Sequence, residues 1–228
     1  MRLLRILLLL IHKEILIESR GKEVLTLLVG TSVMIAALIG AGVSSSIIDA
    51  RSVERVFPML LWLSFFFSAV LSMTRANEGE LEGRGYEALM LARVSGSLQF
   101  TAKVSVTFFV LTGSFIANST AVAIVLGQSV GAHLLPLSFL GMLVAAGVAP
   151  LLVLLGSIAS TSRMRGVLLP LLVFPLLFPF FLAGTELTAE ILTHDGSIVS
   201  SPWTTVLAGA ATLFMLLGVN LYEISLKD

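Results

Sequence analysis

The chain contains no cysteine. Disulfides, zinc–thiolate centres and thiol nucleophiles are therefore excluded. It is also poor in charge. Only 12% of its 228 residues are Asp, Glu, Lys or Arg, roughly half the share of a soluble domain. The formal net charge is zero, so the basic balance expected of a nucleic-acid binder is missing. No G-x-x-x-x-G-K-[ST] run occurs, and the chain cannot cradle nucleotide phosphates by itself. Glycine-rich dinucleotide fingerprints are absent as well. The small-residue run Gly156-Ser157-Ile158-Ala159-Ser160 superficially suits an intramembrane serine nucleophile. No apolar span holds a histidine to act as its base, so close helix packing is the better reading.

What the chain has in abundance is apolar sequence, 57% of all positions. A bilayer core of about 30 Å needs about 20 helical residues. Six runs meet that length: 24–43, 56–73, 102–126, 134–160, 166–183 and 203–222. The fourth contains Pro150 and is long enough to tilt or break there. Basic residues then set the sidedness. Arg2, Arg5, Lys13, Arg20 and Lys22 precede the first run. Arg75, Arg84, Arg93 and Lys103 follow the second, Arg163 and Arg165 follow the fourth, and Lys227 closes the chain. Only Arg51 and Arg55 occupy the opposite loops. A twelve-to-two split predicts that both termini are cytoplasmic.

Residues 1–23 are predicted to form an amphipathic helix in the inner interface and not a cleaved leader. Arg2, Arg5, His12, Ser19, Arg20 and Glu23 share one side at about 100° per residue. Glu14 and Glu18 fall on the apolar side, where a cytoplasmic partner would supply donors. The segment 74–103 opens with a charged, glycine-rich stretch and continues into a short ridge, with Tyr86, Leu89 and Met90 one turn apart. Such a ridge suits protein docking, and Ser95 or Ser97 suits the cap of the next helix. The outer segment 184–202 is expected to hold a short interfacial helix around Leu187, Glu190 and Ile191, with Glu186 and Glu190 one turn apart.

Within the fifth run, Pro170, Pro175 and Pro179 each remove a backbone donor. That pattern predicts a kinked or broken helix, either a static bend or a movable wall along a substrate path. No Asp, Glu, Lys, Arg or His stands near the midpoint of any run. Ion-coupled carriers display such groups, so the energy for uphill movement would come from another subunit. The histidines His12, His133 and His194 lie outside the run centres, as solvated side chains or, for the two outer ones, as haem ligands.

Taken in order, these segments resemble the CcmB family, related to ABC-2 type permeases. The resemblance rests on residues 78–103, on 163–186 with its prolines and Thr185-Glu186, and on Asn220-Leu-Tyr-Glu223. It implies an all-α integral membrane protein with six transmembrane helices, residues 24–228 forming the permease domain. It further implies a CcmA-like ATPase in trans, usually two copies of each chain. Tyr86, Glu87, Leu89, Met90 and Arg93 would be the coupling contacts with that ATPase. Pro170, Pro175, Pro179 and Glu186 would lie on the gating or substrate path. Haem enters as cargo and not as a resident cofactor. Other partners would be CcmC-like and CcmD-like membrane proteins and a CcmE-like periplasmic haem chaperone. Relatives often carry proline where this chain has Arg93, a better helix former. The competing expectations are an ABC-2 permease for a lipid, glycan or drug, and a scaffold for haem-handling partners that transports nothing.

Overall fold

The computed structural model describes residues 2–21, 23–45, 50–82, 95–128, 131–160, 165–193 and 200–225. Among these there are seven α-helices and no strand: α1 (Arg2–Gly21), α2 (Glu23–Ser45), α3 (Ala50–Glu82), α4 (Gly96–Val125), α5 (Leu134–Ser160), α6 (Arg165–Thr193) and α7 (Pro202–Ser225). One turn of 3-10 helix, Gly131–His133, leads into α5. An all-helical answer follows from the solvent: lipid offers the backbone no partners, so each spanning segment must satisfy its own amides.

Five stretches are long and apolar enough to cross a bilayer: Val53–Leu71, Gly96–Val125, Leu134–Ile158, Pro170–Thr193 and Pro202–Tyr222. In α2 the apolar stretch Leu28–Gly42 is shorter, although the helix as a whole runs 23 residues, or about 35 Å at 1.5 Å per residue.

The bundle is built around α5, which packs against α4, α6 and α7. In its apolar window 78% is buried, against 17% in α7. Leu137, Leu140, Val144, Val148 and Leu151 of α5 are sealed inside. Glycines let bulky rings approach its backbone. Phe115 of α4 lies against Gly141, and Phe180 of α6 lies against Gly147, where added methyl groups would overlap the rings. Close small-residue contacts of this kind are how membrane helices gain dispersion energy without a hydrophobic drive between them.

Several boundaries depart from the sequence expectation. Helix α3 continues to Glu82, so 74–82 extend the helix and do not form a glycine-rich loop. Helix α4 begins at Gly96, with Ser95 in the N-cap position but without a side-chain capping bond. Helix α5 passes Pro150 unbroken. Helix α6 contains Pro170, Pro175 and Pro179 and still runs continuously to Thr193. The expected break after residue 183 and the separate outer helix are therefore replaced by one long helix. Glu14 of α1 takes its donor from its own neighbour, the Lys13 ammonium at 2.9 Å.

Candidate functional site

The middle of the bundle is organised by α3, a helix whose small polar residues stand one turn apart. Ser64 and Ser68 are fully buried. A buried hydroxyl in hydrocarbon must find an acceptor, and each finds one on its own helix: Ser64 donates toward the Leu61 carbonyl at 2.9 Å and Ser68 to the Ser64 carbonyl at 2.8 Å. Both also reach neighbouring helices. Ser32 of α2 donates to Ser68 Oγ at 3.0 Å. The Ser64 hydroxyl stands 3.0 Å from Asn118 Oδ1 of α4, and Asn118 Nδ2 donates to the Leu61 carbonyl at 3.1 Å. Asn118 is thus clamped at both ends of its amide.

On the other flank, the Trp62 indole N–H donates to Thr188 Oγ1 of α6 at 2.9 Å, and Thr188 passes its own proton to the Gly184 carbonyl at 2.7 Å. The Trp62 ring stacks on Phe115 with centroids 4.7 Å apart and meets Phe65 edge-on at 5.9 Å. Gly184 makes room for it: an added Cβ there would sit 2.6 Å from the indole. Two turns of α3 therefore bind α2, α4 and α6 at once.

Replacing Asn118 by Leu removes the α3–α4 clamp but strands little, because Ser64 retains the Leu61 carbonyl. The expected loss is about 0.6–1.7 kcal/mol, the range for single interhelical bonds in membranes. Thermal unfolding in detergent, compared with Ser64→Ala and the double variant, gives the coupling directly.

The residues singled out in the sequence are distributed as follows. Tyr86, Glu87, Leu89, Met90 and Arg93 lie outside the described residues. Pro175 and Glu186 are exposed, and Pro170 and Pro179 are half-buried. At about 100° per residue Pro175, Pro179 and Glu186 share one outward side of α6. Glu190, one turn past Glu186, accepts a hydrogen bond from Ser201 Oγ at 3.0 Å and ties the end of α6 to the start of α7. His12 is exposed and His133 half-buried in the 3-10 turn, while His194 lies outside the described residues. Among the described residues no three His, Cys, Asp or Glu gather to hold a metal ion. Sequence inspection passed over Trp62, Ser64, Ser68, Asn118 and Thr188. For Ser64, Ser68 and Asn118 the signal was polarity inside apolar runs, with Ser64 and Ser68 at helical spacing; Trp62 and Thr188 carried none.

A protein-family model described as CcmB protein matches residues 5–220. The chain belongs to the CcmB family. No curated protein matches it. As a CcmB-family member it is a multi-pass membrane component of haem export in cytochrome c maturation, in the permease position. The α3-centred joint is then the internal frame of a CcmB-type subunit, and the proline side of α6 is one of its outer walls.

Proposed function

We propose that this chain is the permease subunit of an ABC-type haem exporter, driven by a separate CcmA-like ATPase on the cytoplasmic side. In this reading α2 is the sixth span, and both termini face the cytoplasm of a bacterium whose inner membrane holds the complex. The architecture is of the ABC-2 type, with two copies of the chain working beside CcmC-like and CcmD-like proteins. ATP hydrolysis drives haem delivery or frees a haem-loaded CcmE-like chaperone. Tyr86, Glu87, Leu89, Met90 and Arg93 supply the coupling contacts with that ATPase.

One observation carries the reading. The helices that flank the ridge, α3 and α4, are hydrogen-bonded to each other deep in the bundle through Asn118, Ser64 and the Leu61 carbonyl. A force applied at the ridge enters two helices that share a joint, and α3 hands it on to α6 through Trp62 and Thr188. The apolar runs hold no charge near their midpoints, which supports an external energy source.

Tyr86→Asp and Leu89→Asp place a charge on the ridge, where an interface anchor commonly contributes more than 1 kcal/mol. Co-purification of the ATPase should fall at least about tenfold, the equivalent of 1.4 kcal/mol, while the amount of inserted chain stays unchanged. Undiminished co-purification overturns the coupling assignment.

A further inference from the structure

An amphipathic helix has two sides that suit different neighbours. Helix α1 does not share them out as an isolated interfacial helix would. It packs mainly on α4 and is joined to α2 through Lys22 alone. The side turned to the bundle holds buried Leu10 with half-buried Leu7 and Ile11. Glu14 belongs to that side too. Its side chain is only 12% exposed and is paired with the Lys13 ammonium.

On the opposite side Leu8 and Leu9 are each more than half exposed, and Ile15 is nearly so. His12 stands exposed among them. At about 100° per residue Leu8, His12 and Ile15 fall within about 60° of one another, with Leu10 and Glu14 on the far side. Sequence register groups His12 with Arg2, Arg5 and Arg20. The side left to the surroundings is therefore the one that register makes basic, and it carries large aliphatic side chains as well. Among the described side chains of α1 no acid stands on it. Residues 2–22 hold five cations, Arg2, Arg5, Lys13, Arg20 and Lys22, against two acids, Glu14 and Glu18. The Lys13–Glu14 pair cancels itself, so a surplus of three positive charges remains.

Water would leave Leu8, Leu9 and Ile15 unburied. A neutral bilayer would bury them and offer the cations little net attraction. A bilayer rich in anionic phospholipid does both, because headgroup charge meets the cations and acyl chains just beneath meet the aliphatic groups. We propose that the outward side of α1 is a docking surface for anionic phospholipid. The bundle thereby holds a shell of anionic lipid at the end where α2 begins, with α1 clamped between that shell and α4.

The test uses the full chain alone in nanodiscs of phosphatidylcholine and phosphatidylglycerol in equal parts, so it does not depend on any ATPase. Because the protein has no cysteine, one introduced cysteine carries the only label. Ile15→Cys places a bimane fluorophore on the outward side of α1, and Leu213→Cys places it on an exposed site of α7 as the control. In each case one lipid or the other bears a doxyl quencher. Each Lys or Arg near an anionic surface contributes about fivefold in affinity, so phosphatidylglycerol should quench at Ile15→Cys at least about twofold more strongly than phosphatidylcholine. The two lipids should quench equally at Leu213→Cys. Salt at about 1 M, where charges are screened beyond about 3 Å, should remove the preference. Arg2→Gln with Arg5→Gln should reduce it at low salt. Equal quenching at Ile15→Cys overturns the proposal, and so does a preference that survives both the salt and the double variant. Quenching by neither lipid would place protein or water on this side and overturn it as well. Failure of ATPase co-purification would sink the proposed function and leave this result standing.

Discussion

Trp62→Ala should cost about 3–5 kcal/mol, the range for emptying a buried large aromatic site, and lower the unfolding midpoint by on the order of 10 °C for a chain of this size. The expectation follows from what the indole touches. It is fully buried, stacks on Phe115 and fills the hollow over Gly184. Lipid chains cannot enter a closed pocket between α3, α4 and α6, so the void remains and the lining atoms lose their contacts. Trp62→Phe separates the two components of this loss. It keeps most of the ring packing and gives up only the bond to Thr188, whose own hydroxyl proton remains on the Gly184 carbonyl. That variant should lose less than about 2 kcal/mol. If Phe is as damaging as Ala, the hydrogen bond and not the volume holds the joint. Thermal unfolding of the three proteins in the same detergent decides it.

Most of the fold was legible in the sequence because lipid leaves few options. An apolar run of about 20 residues must be a helix. The break that the prolines allowed does not occur, for the same reason. In water a helix broken at Pro175 could trade its amides for solvent. In hydrocarbon the unbroken helix is the state that strands fewest groups, and α6 stays whole. The extension of α3 across 74–82 was hidden by Gly79, which costs only about 1 kcal/mol in a helix. The α3 joint was only half visible. Ser64 and Ser68 announce a polar stripe, but their partners Asn118 and Ser32 lie 54 and 36 positions away in sequence. Nothing in a single chain's spacing pairs them. Trp62 looked like any apolar residue of its run until Gly184 was placed beneath it.

The proline wall of α6 should respond to substitution in opposite directions in stability and in function. A helix-interior proline withdraws a hydrogen bond from the carbonyl four residues before it. Pro175 and Pro179 thus release the carbonyls of Leu171 and Pro175, and both residues are exposed. No Ser or Thr stands between Arg165 and Thr185 to offer a hydroxyl in compensation. Pro175 itself is exposed, so trimming its ring removes little packing. Pro175→Ala returns one N–H to the helix, and Pro175→Ala with Pro179→Ala returns two. Each restored bond should add about 1–3 kcal/mol to stability, bounded above by the helix-interior penalty of proline. If the weakened ladder lets α6 flex as a gate, the stabilised double variant should support less covalent haem attachment to c-type cytochromes than the parent, at equal amounts of inserted protein. A variant that is both more stable and fully active would make the prolines a static bend. A less stable one would show that the Leu171 and Pro175 carbonyls already have donors from another molecule, and that this wall of α6 is an assembly surface.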